Sequence, residues 1–256
     1  MKTLIIIPSR MSATRLPGKP LLKINGLSII SHVSKRAEKA NIGDVIVATE
    51  DREIINDVKK NGFNAILTSN NHKTGTDRIY EALKKSNIKN VDLVMNLQGD
   101  EPDIDVDDII SLNEKMIKNR SKLGTLASEI KDKNILENEN IVKVITDKSL
   151  KENYFPKSVS FLRKSKNIDN IYHHIGIYSY SFDTLEKFVQ LSQSKNEIKY
   201  RLEQMRALDN DIKINVSLAK KSPIGIDTQE DYLALKKIME YKNLWIKFIF
   251  KEPLVH

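Results

Sequence analysis

Short, almost wholly apolar runs alternate with amphipathic segments through residues 4–97. Leu4–Pro8, Val45–Thr49, Ala65–Thr68 and Val91–Leu97 read as strands, while Ser28–Ala40, Glu53–Asn61 and Asp77–Ser86 repeat apolar positions at helical spacing. Strands apolar on consecutive positions need cover on both faces, which predicts an α/β fold with a mostly parallel sheet between layers of helices. In such sheets ligands gather beyond the carboxyl ends of the strands. Asp107–Asn119 continues as a helix. From 122 to 180 the pattern shortens to strands with polar links, such as Ile141–Thr146 and Ile175–Tyr180, predicting a smaller β-rich insertion. Helices return at Phe182–Leu191, Glu197–Leu208 and Thr228–Tyr241, with a strand at Lys213–Leu218 between them.

The organisation expected is therefore one domain over 1–256: an α/β core at 1–120, a β-rich lobe at about 121–195, a return to the core at 196–241 and a tail at 242–256. The tail ends in WIKFIFKEPLVH, apolar enough to pack on the body or on a partner subunit. No internal repeat or linker-like stretch interrupts this plan.

Composition narrows the chemistry. With no cysteine, disulfides and thiolates are excluded, and any metal must be held by oxygen or imidazole. No apolar run reaches the roughly 18 residues of a membrane span, and Met1-Lys2-Thr3 leads straight into a strand, so the chain is read as soluble and cytoplasmic. The formal charge of +8 comes mostly from scattered lysine rather than a patch, so nucleic acid is not the expected partner; an anionic small substrate is compatible.

Two stretches should lie at the carboxyl edge of the sheet. After the first strand, Arg10, Arg15 and Lys19 stand in a loop that Pro8, Pro17, Gly18 and Pro20 should hold off helical geometry. Such a loop either wraps a polyphosphate, through guanidinium forks and a lysine point charge, or is a solvated basic loop. In NLQGDEPDIDVDD, Gly99 lets the backbone approach a ligand and Asp100 can hold a hard cation such as Mg²⁺. Asp103, Asp105, Asp107 and Asp108 read as solvated or as favourable charges at a helix start. Asp227, in GIDTQEDY, is either a second metal ligand or a helix cap. TGTDR at 74–78 reads as a helix start whose small residues could admit a nucleotide. In His173-His174 adjacent strand positions face opposite ways, so at most one ring belongs to a site.

Taken in order, IPSRMSATRLPGKPL, VATED, TGTDR, NLQGDEP, HHIGIYSY, LEQMRAL and GIDTQED resemble the 3-deoxy-D-manno-octulosonate (Kdo) cytidylyltransferase family over residues 3 to about 238. The resemblance implies a Rossmann-like nucleotide-diphospho-sugar transferase fold with a smaller lobe for sugar binding and dimerisation. It implies transfer of CMP from CTP to the anomeric hydroxyl of Kdo, with Mg²⁺, release of pyrophosphate, a homodimer and a place in lipopolysaccharide biosynthesis. It also implies that Arg10 and Lys19 hold the phosphates and Arg15 closes the loop, whose turn carries Gly18. Thr74, Gly75, Gln98 and Asp100 would surround cytidine and metal, Asp100 and Asp227 would be the metal ligands, and Lys157, His174, Tyr178, Glu203 and Gln204 would meet the acid sugar. Departures from the family pattern cluster at Pro156, Lys157, Phe161 and Tyr200. They leave open another 3-deoxy-ulosonic acid as substrate, or a nucleotide-binding regulatory homologue with weak turnover.

Overall fold

The computed structural model of the protein describes residues 1–12, 15–152, 155–166 and 169–249, with the side chains of residues 152 and 242–249 excepted. The packing expected of the tail at 242–256 lies outside the described side chains. In chain order, β1 (Thr3–Ser9) is followed by a 3-10 turn at Lys19–Leu21 and a hairpin of β2 (Lys23–Ile24) and β3 (Leu27–Ser28). Then come α1 (Ile29–Lys39), β4 (Gly43–Thr49), α2 (Arg52–Lys60), β5 (Ala65–Leu67), α3 (Gly75–Lys85), β6 (Leu93–Asn96), α4 (Val106–Asn119) and β7 (Leu123–Ser128). The second half contributes β8 (Lys143–Thr146), β9 (Ser158–Leu162), β10 (Ile171–Ser181), α5 (Phe182–Gln190), α6 (Lys195–Tyr200), α7 (Met205–Asp209), β11 (Asn215–Leu218) and α8 (Gln229–Ile249).

The central sheet runs β11-β7-β10-β6-β1-β4-β5, parallel except for β10, which is antiparallel to both its neighbours. Alternate residues of each strand face opposite layers. Leu4, Ile6, Ile46, Ala48 and Val94 turn toward α3, α5 and the α6–α7 segment. Ile5, Ile7, Val45, Val47, Leu93 and Met95 turn toward α1, α2 and α4. These are fully or nearly fully buried, and each one larger than alanine stabilises the fold by roughly 1.5–3 kcal/mol. The apolar runs of the sequence are thus strands covered on both faces, as the pattern predicts.

Two features differ from that pattern. β7 and the C-terminal half of β10 are members of the central sheet, so only β8 and β9 stand off it, β8 pairing with the N-terminal half of β10 and β9 with β8. The helix expected over Glu197–Leu208 is broken in two, because Arg201 takes a left-handed conformation (φ 54°) that ends α6. Among the described residues, no helix is long and apolar enough to cross a membrane.

Candidate active site

The loop after β1 is fastened at several points. The Met11 N–H donates to Asp51 Oδ2 at 2.7 Å, and Asp51 stands at the start of α2. The Gly18 N–H donates to Met11 O at 3.2 Å and the Lys19 N–H to Leu16 O at 3.2 Å. Gly18 has φ +72°, a left-handed conformation that costs glycine little. Contrary to the expectation that the prolines exclude helical geometry, Lys19–Leu21 forms one 3-10 turn; Pro20 sits in its first turn, where a missing N–H costs nothing. Leu16 is buried with Ile24, Ile29, Ile226, Tyr232 and Leu235 in a third small core that joins the loop to α8.

That core brings Asp227 to the loop. Lys19 Nζ donates to Asp100 Oδ2 at 2.7 Å and to Ile226 O at 2.5 Å, and lies 3.5 Å from Asp227 Oδ1. Arg15 Nη2 lies 2.9 Å from Asp227 Oδ2. The Ile226 N–H donates to Asp100 O at 3.0 Å, tying the two acidic segments together through the backbone. Asp227 does not cap α8; Thr228 does, its hydroxyl accepting the Asp231 N–H at 3.2 Å. Two carboxylates therefore converge on one cation position, an oxygen donor set suited to a hard divalent ion. Behind them Glu101 Oε2 is buried without a hydrogen-bond partner, and burial, then the charges of Asp100 and Asp227, push this carboxyl up to about 8. Gly99 is required here, since a Cβ would stand 2.9 Å from Pro8 O and 3.3 Å from Ile30 Cδ1.

A cleft of about 370 Å³ opens in front, and Arg10, Arg15, Lys19, Thr74, Gly75, Gln98, Asp100 and Asp227 all line it. Arg10 and Lys73 face it with no ion pair among the described residues. Excess positive charge of this kind attracts a polyanion. Thr74 caps α3, accepting the Asp77 N–H at 3.2 Å, so the sequence reading of TGTDR as a helix start holds. Gln98 Nε2 donates to Gly176 O at 2.6 Å, which fixes its amide against β10. Four lining residues escaped the sequence reading: Ser9, His72, Lys73 and Arg78. The buried Arg78 guanidinium donates to Thr68 Oγ1 at 2.6 Å and to Ser69 O at 3.2 Å and pairs with Glu50; its signal was the position one turn into the helix that TGT opens.

The other acidic residues of NLQGDEPDIDVDD turn away from the cleft. Asp103 pairs with Lys221 at 2.7 Å, Asp107 pairs with Lys220, and Asp108 Oδ1 accepts the Lys220 N–H at 3.0 Å. Asp105 caps α4. Asp103 and Asp108 are buried rather than solvated, because they anchor the segment after β11 to the loop before α4 and to α4 itself.

On the far side of α3, Glu203 accepts a hydrogen bond from Thr76 Oγ1 at 3.0 Å, while its Oε1 and the Tyr178 hydroxyl are buried without hydrogen-bond partners. Burial pushes both groups up, Glu203 above the usual carboxylate range and Tyr178 well above that of a phenol. His174 is buried, its ring 5.0 Å from Phe161 edge-on and 5.5 Å from Tyr178. Burial, with His173 adjacent, lowers its pKa to about 3, so the ring is neutral. The Thr125 hydroxyl donates to Ile177 O at 2.7 Å, which leaves it to accept at 3.0 Å from His174 Nε2 and makes Nδ1 the acceptor. His173 points the other way, to Ser222 Oγ at 3.0 Å, as strand alternation predicts. Gln204 opens α7 beside Glu203. Lys157 stands apart: it is exposed at the outer edge of the sheet, bridged to Asn215 of β11, with β7 and β10 between it and β6.

The chain matches the cytidylyltransferase family over residues 4–214. It is 40% identical over 245 residues to 3-deoxy-manno-octulosonate cytidylyltransferase of Rhodopseudomonas palustris (strain BisB18), a match covering 94% of this chain and 98% of the relative. It is 42% identical over 252 residues to the protein of that name from Thermodesulfovibrio yellowstonii, covering 93% and 98%. A solved structure of CMP:2-keto-3-deoxy-manno-octonic acid synthetase complexed with CTP superposes with a TM-score of 0.87 at 32% identity, over 94% of this chain and all of the other. A basic loop and two carboxylates set together at the carboxyl edge of this sheet, with identity of this extent, place the chain in the 3-deoxy-manno-octulosonate cytidylyltransferase family.

Proposed function

We propose that the protein transfers CMP from CTP to the anomeric hydroxyl of 3-deoxy-D-manno-octulosonate, releasing pyrophosphate and supplying an activated sugar for lipopolysaccharide biosynthesis. The observation that carries this reading is the convergence of Arg15 and Lys19 with Asp100 and Asp227 in one cleft, Lys19 lying 2.7 Å from Asp100 and 3.5 Å from Asp227 and Arg15 2.9 Å from Asp227. Phosphoryl-transfer sites work mainly by positioning and charge, and this cleft supplies both. Arg10 and Lys19 would hold the phosphates and stabilise the leaving pyrophosphate, while Arg15 would keep the loop closed over them. Thr74, Gly75 and Gln98 would enclose the cytidine. His174, Tyr178, Glu203 and Gln204 would meet the sugar; the Tyr178 hydroxyl, buried with no hydrogen-bond partner, supports that role, because buried polar atoms call for one, and Glu203 Oε1 is met only by Arg206 at 3.8 Å.

Asp100 and Asp227 fit a Mg²⁺ ion, the Lys19 ammonium standing in for a cation at 2.7 and 3.5 Å from their oxygens. When bound, such an ion supplies charge that polarises the phosphate and eases ionisation of the attacking hydroxyl. A homodimer and a cytoplasmic location belong to the same proposal. Among the described residues β8 is the one strand paired with β9, and the exposed Val159 of β9 supports an interface there; light scattering that gave a monomer mass would remove it. The deciding assay measures pyrophosphate release from CTP with Mg²⁺ across several acid sugars. Release with Kdo is the expected outcome; a kcat/KM well above it for another ulosonic acid would change the substrate, and no release with any sugar would leave a nucleotide-binding homologue.

A further inference from the structure

We infer that Lys19 is an internal counter-cation that competes with a divalent metal ion for Asp100 and Asp227, so that metal and triphosphate enter this site as a coupled pair. The inference rests on the proposal that these two carboxylates bind the metal. Three oxygens surround the Lys19 ammonium: Ile226 O at 2.5 Å, Asp100 Oδ2 at 2.7 Å and Asp227 Oδ1 at 3.5 Å. The remaining oxygen of Asp227 faces Arg15 Nη2 at 2.9 Å, so neither oxygen of that carboxylate stands free of a cation. The Lys19 side chain is 12% exposed, and its backbone is fixed in the 3-10 turn with Pro20 buried next to it.

A Mg²⁺ ion sits about 2.0–2.1 Å from its carboxylate oxygens. An ammonium hydrogen-bonded to the same oxygen is then within a few ångströms of it, a like-charge contact in a site partly withdrawn from water. The ion must therefore displace the ammonium, and the ammonium needs other oxygens to go to. A triphosphate in the cleft offers them. By linkage, whatever the nucleotide contributes to metal affinity by drawing Lys19 away, the metal returns to nucleotide affinity. This coupling adds to chelation of the metal by the phosphates, and it differs from it in one respect: removing the lysine charge should raise metal affinity with no nucleotide present.

The test counts free Mn²⁺ by electron paramagnetic resonance in titrations of the full chain without nucleotide, comparing the wild type with Lys19→Met and Lys19→Gln, each checked for folding by circular dichroism. The expected result is Mn²⁺ affinity raised about tenfold or more in both variants, with the gain abolished by adding Asp100→Asn. No gain in either variant, or a gain that survives Asp100→Asn, overturns the inference. The two readings fail differently. If Mn²⁺ binds all forms equally well, or only when CTP is added and to the same degree, the coupling falls and the metal site stands; if no form binds it even with saturating CTP, both fall.

Discussion

Thr228 opens α8: its hydroxyl accepts the Asp231 N–H at 3.2 Å, and Asp231 Oδ2 accepts the Thr228 N–H at 2.9 Å. This reciprocal pair satisfies two backbone donors and leaves the Asp227 carboxylate to Arg15 and Lys19. Neighbouring residues should then separate by assay. Asp227→Asn is expected to lower turnover on the order of 10²-fold, through lost charge at the cation position, and to shift stability by no more than about 0.5 kcal/mol. Thr228→Ala should cost about 1 kcal/mol of stability and leave most of the rate. Steady-state kinetics at limiting Mg²⁺ and urea titrations decide the matter, and a near-normal rate for Asp227→Asn would end its role as a ligand. Sequence alone could not assign these two tasks. Asp and Thr are both good caps, and a capping box fits Asp227 with Glu230 as well as Thr228 with Asp231. Asp100, by contrast, was legible, because a strand end followed by glycine and a carboxylate puts the side chain at the ligand edge of a parallel sheet.

The turn between α6 and α7 sets Glu203 against the N-terminus of α3. α6 ends where Arg201 turns left-handed, and Arg163, beyond β9, gathers the loose carbonyls: its guanidinium donates to Tyr200 O, Arg201 O and Glu139 O, each at 3.0 Å. Apolar positions keep a helical period through Leu202, Met205 and Leu208, so the sequence reads one helix. The stop comes from a non-glycine left-handed residue and a capping arginine far away in the chain, and neither leaves a local mark. β1, β4 and β6 were legible for the opposite reason: strands covered on both faces are apolar throughout, and a local window suffices to see them. Arg163 thus holds the α6 terminus that precedes Glu203, and the proposed contact of Glu203 with the sugar makes it testable as a positioning residue. Arg163→Met should raise KM for the acid sugar several-fold while leaving the dissociation constant for CTP within about twofold. Equal weakening of both substrates would mean that the arginine only supports the fold.

At the scale of the whole molecule, three cores fix the relation between distant segments. The sheet supplies two of them, and their membership follows from alternation along each strand. What alternation does not give is strand order: β10 enters antiparallel between β7 and β6, a non-local choice made by pairing, and only that choice brings Gly176 beside Gln98. The third core is smaller and closer to the chemistry. Leu16 from the basic loop, Ile24 and Ile29 around the hairpin, Ile226 before Asp227, and Tyr232 and Leu235 from α8 meet there, and the Tyr232 hydroxyl donates to Lys23 O at 2.8 Å. α8 thereby acts as a clamp that holds Asp227 to the loop carrying Arg15 and Lys19. Leu235 is fully buried in this core, whereas Leu233, two residues earlier, is 55% exposed. Leu235→Ala should cost about 2–5 kcal/mol, from lost burial and the cavity left behind, whereas Leu233→Ala should stay within about 0.5 kcal/mol. Because the cavity opens under Ile226, the Leu235 variant should also need more Mg²⁺ to reach half-maximal rate at a temperature where it remains folded. Urea titration gives the first quantity and a Mg²⁺ dependence of pyrophosphate release the second. A Leu235→Ala protein that lost stability but kept the wild-type Mg²⁺ dependence would show that Asp227 is placed by its own ion pairs, and that the clamp serves stability alone.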